Sequence, residues 1–195
     1  MTNPDYTALL FIIDRSGSMY SIKEDMEGGI NGVLDEQKKL PGEVTVDVAY
    51  FDYELTYDDR FLSLDSASIE INPRGSTALY DAIVTSTGKF GDALSQLPEA
   101  DRPGNVMVII VTDGHENSSR ESTVDDVKSL ITQQQDTYNW EFLFLGANQD
   151  ALETGQTFGL REGNSLTYAA TRGGTMDASN FIAASVTSAR LRTNV

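Results

Sequence analysis

Apolar residues recur along this chain in two alternating patterns. Ala8–Ile13, Val44–Phe51, Val106–Val111 and Trp140–Leu145 are short runs rich in β-branched or aromatic side chains. Such runs predict strands buried on both faces, as in a parallel sheet. Leu166–Ala169 is a weaker candidate of the same kind. Between the runs the period is helical. Ile22, Met26, Ile30, Val33 and Leu34 fall on one helical face, and so do Leu79, Ile83, Phe90, Leu94 and Leu97. Val124, Val127, Leu130 and Ile131 form a third stripe, with Ser122 and Asp125 as a capping-box variant ahead of it. A last helix is expected from near Thr175, carrying Phe181, Ile182, Val186 and Leu191. Gly28-Gly29 predicts close helix–sheet packing, and Gly173-Gly174 a loop.

One segment breaks the alternation. Val44–Phe51 is followed almost at once by Leu55–Leu64, with Asp52-Tyr53-Glu54 as the turn, which leaves no room for a helix. The pair therefore reads as an antiparallel hairpin whose second strand is bent or split by Asp58-Asp59. The expected fold is a doubly wound α/β, Rossmann-like sandwich. Its six-stranded, mostly parallel sheet has one antiparallel edge strand, order 3-2-1-4-5-6, and helices on both faces. At 195 residues with 39% hydrophobic content, one domain covers the chain.

Charge and composition then remove function classes. Fourteen Lys and Arg face 30 Asp and Glu, a net charge of −16, which argues against nucleic acid and anionic lipid as partners. No cysteine is present, so thiolate zinc sites and cysteine nucleophiles are excluded, and one histidine cannot build a multi-histidine metal site. No apolar run is long enough to span a bilayer, and Met1-Thr2-Asn3-Pro4-Asp5 does not read as a signal peptide. The expectation is a cytoplasmic protein, or a virion-associated one if phage-encoded; oligomeric state is not encoded in any readable pattern.

In open α/β sheets the working crevice lies beyond the carboxyl ends of the strands. After the first strand comes Asp14-Arg15-Ser16-Gly17-Ser18; after the Val106–Val111 strand comes Thr112-Asp113-Gly114. A third loop carries Pro73-Arg74-Gly75-Ser76-Thr77 ahead of a helix. Two carboxylates and three hydroxyls are hard oxygen donors of low total charge, suited to Mg²⁺, Ca²⁺ or Mn²⁺. Alternate residues on a tight turn at Gly17 can aim Asp14, Ser16 and Ser18 at one point. The competing reading is turn chemistry and helix capping, since Ser18 and Thr77 both precede helices.

This constellation resembles the metal-ion-dependent adhesion site of the von Willebrand factor A domain. Asp14-x-Ser16-x-Ser18, Thr77 and Asp113 match its three elements. The likeness runs from about Thr7 to Leu191. Phe11–Met19, Pro73–Ala82 and Val111–Arg120 are similar to stand-alone A-domain proteins of bacteria and phages. The resemblance implies a non-catalytic, metal-dependent protein-binding module whose partner supplies an Asp or Glu to the metal.

Two other classes are weighed. A phosphohydrolase with an aspartate nucleophile needs a second carboxylate two residues on, where this chain has Ser16. Neither a Gly-x-Ser-x-Gly elbow nor a P-loop is present. An assembly role, as a virion component or ring-ATPase accessory, differs in context rather than chemistry. Among nearby residues, His115 reads as an exposed loop residue. Glu116, Asn117 and Arg120 read as rim contacts, and Arg15 and Arg74 as flanking cations that moderate the negative field or meet a partner's carboxylate. Trp140 reads as core, and Asp52, Asp58, Asp59 and Asp65 as an acidic hairpin that protects a sheet edge or meets a partner.

Overall fold

The computed structural model describes residues 2–58 and 60–192. Asp59, half of the expected strand-splitting pair, lies outside the described residues. The strands are β1 (Asn3–Asp14), β2 (Glu43–Phe51), β3 (Leu55–Thr56), β4 (Leu62–Ser63), β5 (Pro103–Thr112), β6 (Glu141–Ala147) and β7 (Ser165–Tyr168). The helices are α1 (Lys23–Gln37), α2 (Leu79–Gln96), α3 (Val124–Tyr138), α4 (Ala151–Thr157) and α5 (Arg172–Arg192), with 3₁₀ turns at Gly17–Ser21 and Glu99–Asp101. No described helix is long and apolar enough to cross a membrane.

The sheet runs β3-β2-β1-β5-β6-β7, with β4 also pairing to β2. β1 is central and parallel to both β2 and β5, and β6 and β7 continue the parallel set. β3 and β4 are antiparallel to β2. This is the expected order, with the edge strand in two pieces, so the sheet has seven strands rather than six.

Alternation along β1 explains why its sequence is apolar throughout. Leu9, Phe11 and Ile13 join Met107, Ile109 and Val111 on one face, beneath α1 and α5. Ala8, Leu10 and Ile12 join Val108 and Ile110 on the other, beneath α2 and α3. A strand covered on both sides has no solvent face to mark with polar residues. Trp140 is buried as expected and packs edge-on against Phe90.

The split edge strand has a cause in β2. Asp47 is fully buried, and its carboxylate accepts from the Tyr57 hydroxyl at 2.6 Å and from the Phe61 N–H at 2.6 Å. An unpaired buried carboxylate is costly, so the segment between β3 and β4 folds over Asp47 instead of extending. Phe61 takes a positive φ of 50° to deliver its N–H.

Other boundaries shift. Thr123 caps α3 in a capping box with Asp126, one residue later than expected, because the Ser122 N–H already serves Asp81. α5 begins at Arg172 rather than Thr175, so Gly173-Gly174 is helical, and Leu191 is exposed. A Cβ at Gly174 would strike the Ala169 carbonyl. At Gly29 a Cβ would strike Ser179, so the close approach is between α1 and α5, not helix and sheet.

The Ser86 and Thr87 hydroxyls of α2 are buried without a hydrogen-bond partner among the described residues. Each such group forfeits its hydration. Ser86→Ala and Thr87→Val are each expected to raise stability by about 1 kcal/mol in urea unfolding. A loss of stability in both would show that these hydroxyls find partners.

Candidate functional site

β1 and β5 are neighbours, and their carboxyl ends meet at one edge of the sheet. The register places Ile13 beside Val111, so the next residues, Asp14 and Thr112, also lie side by side. Asp14 is fully buried. Its Oδ2 accepts from the Thr112 hydroxyl at 2.6 Å, and its Oδ1 accepts from the Ser16 N–H at 2.6 Å. The second bond closes the turn that brings Ser16 and Ser18 round. Their hydroxyls share a hydrogen bond at 3.1 Å, and the Ser18 hydroxyl donates to Asp113 Oδ1 at 2.6 Å. Two loops far apart in sequence are thus joined through side-chain oxygens.

The third loop is locked onto the first two by backbone. Gly17 N–H donates to the Gly75 carbonyl at 3.2 Å, and Arg74 N–H to the Arg15 carbonyl at 2.7 Å. Gly75 sits at φ +68°, a conformation glycine adopts without strain. Thr77 N–H donates to Asn117 Oδ1 at 2.9 Å, and the Asn117 and Ser118 N–H groups donate to the Thr77 carbonyl. Gly114 shows where the donors converge. A Cβ placed there would lie 3.1 Å from Thr77 Oγ1, 3.8 Å from Ser18 Oγ and 3.9 Å from Asp14 Oδ2. A side chain at this position would fill the space the oxygens face.

All five sequence-chosen residues therefore come together, at graded depth. Asp14, Ser16 and Thr77 are buried, Asp113 is half-buried and Ser18 is exposed. Capping does not occupy them. The 3₁₀ turn after Ser16 has no side-chain cap bond, and neither has α2, whose N-cap is Ala78 rather than Thr77.

Burial pushes the Asp14 carboxyl up to about 6, against hydrogen bonds from Thr112 and Ser16 that favour the charged form, with Asp113's charge adding to the rise. Burial also raises Asp113, moderated by the Ser18 hydroxyl. Among the described residues no Lys, Arg or His forms an ion pair with either carboxylate. Nor does any group of three Asp, Glu, His or Cys side chains among them stand so as to hold a metal ion. The centre is instead two carboxylates and three hydroxyls. That donor set suits a hard divalent cation and not a soft one.

The flanking cations are both paired to acidic side chains. Arg15 Nε and Arg74 Nε both donate to Asp52 Oδ2, at 2.7 and 2.8 Å, and Arg74 Nη2 donates to Glu54 at 2.9 Å. Asp52 is itself fully buried, so it is a brace between two site loops and not part of an acidic surface. Glu116, half-buried, and Asn117, exposed, both spend side-chain oxygens on loop backbone. Glu116 accepts from the Tyr80, Ser118 and Ser119 N–H groups and the Ser119 hydroxyl. Asp81 accepts from the Arg120, Glu121 and Ser122 N–H groups. His115 and the Arg120 side chain are exposed.

Several supporting residues escaped sequence reasoning. Thr112 stands in the quoted Thr112-Asp113-Gly114, but its role depends on strand register. Tyr168 of β7 reaches under the site and donates to the Thr112 carbonyl at 3.3 Å; Gln149 donates to the Gly114 carbonyl at 3.2 Å. No local pattern announces either.

No protein-family model matches the chain, and no curated protein matches it by sequence. Solved structures do. One is proximal thread matrix protein 1 from the mussel byssus with a zinc-occupied MIDAS motif. It is 15% identical with a TM-score of 0.65, over 96% of this chain and 46% of that one. A von Willebrand factor type A structure from Catenulispora acidiphila is 17% identical, TM-score 0.61, over 91% of this chain and 42% of that one. The chain thus spans less than half the length of these two. The vWF domain of the type V pili tip protein Mfa5 from Porphyromonas gingivalis is 10% identical, TM-score 0.65, over 93% and 95% of the two chains. With the central parallel β1, the antiparallel edge at β3 and β4 and helices on both faces, the chain has the von Willebrand factor A fold.

Proposed function

We propose that Asp14, Ser16, Ser18, Thr77 and Asp113 hold one Mg²⁺, with Mn²⁺ or Ca²⁺ as substitutes, and that the chain is a non-catalytic protein-binding module. The observation that carries this reading is the convergence of Thr77, Ser18 and Asp14 oxygens from two loops on Gly114 of the third, with Ser16 and Asp113 hydrogen-bonded to Ser18 and no cationic side chain among the described residues paired to either carboxylate. A buried Asp14 raised by desolvation is a poor resident on its own and a good one beside a cation. The zinc-occupied MIDAS motif of the mussel protein supports a divalent ion at this place in the fold.

When bound, such an ion offers a Lewis-acidic contact to an incoming anion. This chain's own residues do the rest. Asp14 and Asp113 supply two negative charges, and the hydroxyls supply none. An Asp or Glu of a partner protein is therefore attracted and completes the ligand set. The net charge of −16 keeps nucleic acid from competing. We assign residues 1–195 to one such module. An assembly role, in a virion or beside a ring ATPase, would use the same contact. No turnover of phosphate or carboxylic esters is expected. Ser16 stands where a second carboxylate would be needed, and Asp14 Oδ2 is engaged by Thr112.

A cation held only by the folded state stabilises it; at ten times Kd the gain is about 1.4 kcal/mol, a rise of roughly 3–6 °C in Tm. Wild type is expected to show this rise with Mg²⁺ and lose it with EDTA. Gly114→Val, which places a side chain among the donors, is expected to fold and show no rise. Identical melting curves for wild type with Mg²⁺ and with EDTA would count against the site.

A further inference from the structure

A cavity of about 430 Å³ opens at the end of the sheet opposite the five oxygen donors, where β5 and β6 begin and α2 and α3 finish. We propose that it is a separate ligand site, and that it takes a small aromatic carboxylate, the ring in the cavity and the acid group on Arg102. Its size falls in the range of small-molecule pockets, about 300–1,000 Å³. The inference does not depend on the proposed metal.

The apolar wall is built by both helices and the sheet. Asn139 follows α3 in the left-handed conformation, at φ 55°, and turns the chain so that the Trp140 N–H donates to the Gln134 carbonyl at 3.1 Å. The indole then meets Phe90 of α2 edge-on, with ring centroids 5.7 Å apart. Leu94, Pro103 and Val106 extend this wall. Tyr138 also lines the cavity and is 59% exposed, with no ring contact among the described residues. On the α2 side the border is Gly88 and Gly91. A Cβ at Gly88 would meet nothing within 4 Å, and at Gly91 the nearest atom is Trp140 Cη2 at 3.4 Å. Glycine weakens a helix interior, and the neighbours of Gly88 do not demand it.

Arg102 selects the charge of the occupant. Its Nε donates to the Leu97 carbonyl at 2.9 Å and its Nη2 to the Ser95 carbonyl at 2.6 Å, which fixes the guanidinium at the cavity. Both acceptors are neutral. Among the described residues Arg102 has no ion pair, and its Nη1 has no partner. Asp92 is the acidic residue of the lining, but it is exposed where Arg102 is half-buried, so water weakens its field more. A carboxylate gains charge-assisted bonds from a guanidinium already held in place. The Gln134 amide, half-buried and without a side-chain partner among the described residues, offers a further donor. An ammonium ligand would meet repulsion from Arg102 and only a solvated carboxylate in return.

The probes are 4-phenylbutyrate and its cationic analogue 4-phenylbutylamine, titrated in EDTA at neutral pH against the whole chain. Trp140 is the chain's only tryptophan, so its emission reports occupancy, and calorimetry gives the affinity. Wild type is expected to show a saturable change with 4-phenylbutyrate, with a Kd of about 1 mM or tighter. The amine is expected to bind about tenfold more weakly. Gly88→Leu, which puts a side chain into the cavity, is expected to melt no lower than wild type and to bind the acid about tenfold more weakly or worse. Arg102→Gln, which keeps a donor for the two carbonyls, is expected to bind acid and amine alike. The inference is overturned by no saturable change in wild type, by equal binding of acid and amine there, or by unchanged acid binding in Gly88→Leu. A preference for the acid that survives Arg102→Gln overturns it as well. Because EDTA is present throughout, none of these results bears on the metal reading.

Discussion

Replacing Asp52 by alanine is expected to cost about 3–5 kcal/mol of stability, a loss typical of breaking a buried ion pair from one side. The carboxylate is fully buried and receives Arg15 Nε, Arg74 Nε and the Glu54 N–H, at 2.7, 2.8 and 2.8 Å. Its removal leaves the largely buried Arg15 guanidinium without its carboxylate and holding only the Thr56 hydroxyl among the described residues, while half-exposed Arg74 keeps Glu54. It also removes the side-chain brace between the first and third site loops, which stay joined by the backbone bonds from Gly17 to Gly75 and from Arg74 to Arg15. Burial by itself would raise this carboxyl. Arg74, the Glu54 N–H and Arg15 outweigh it and hold the group below the ordinary value. A lowered folded value gives stability that is present above the unfolded value and lost as pH falls through the folded one. Urea unfolding at neutral pH measures the loss; a change under about 1 kcal/mol, the size of an exposed pair, would show that the brace is not structural.

Asp14 works in the opposite direction. Its folded value of about 6 lies above the ordinary 3.8, so the metal-free folded state holds a proton that the unfolded chain has released. Stability from this group is full below about pH 4 and falls as pH rises to about 6, by ~3 kcal/mol in all. Asp14→Asn cannot ionise, so the difference between the two proteins isolates the effect from Asp52 and Asp81, which titrate the other way. Without added metal, the variant is expected to gain on wild type as pH rises from 4 to 7. Saturating Mg²⁺ at pH 7 should reverse the order, because the charged carboxylate is then the ligand. Urea midpoints across this range give the measurement. A stability difference that does not move with pH would contradict the electrostatic account of Asp14.

The layered sheet was readable from the sequence because β1 and β5 are buried on both faces, and unbroken apolar runs have few other uses. The hairpin was readable because no helix fits between Phe51 and Leu55. Its splitting was expected at Asp58-Asp59, but the cause was not readable, since it depends on buried Asp47 drawing in Tyr57 and Phe61. The five oxygen-bearing residues could be singled out because each follows a strand or precedes a helix. Their supports could not. Arg15 and Arg74 lie 37 and 22 residues from Asp52, and no local pattern says that all three converge. Thr112 meets Asp14 through strand register, 98 residues away in the chain. That Glu116 and Asn117 serve backbone donors was not readable, because those donors leave no trace in sequence.

The most direct test of the account is an Mn²⁺ titration read by electron paramagnetic resonance, in which a bound ion drops out of the free-ion signal. Wild type is expected to remove one ion per chain, and excess Mg²⁺ to return it to solution. Asp14→Asn and Thr77→Ala, both folded by circular dichroism, are expected to remove none at the same concentrations. Equal uptake by wild type and both variants would place the ion elsewhere and contradict the assignment of these oxygens as its ligands.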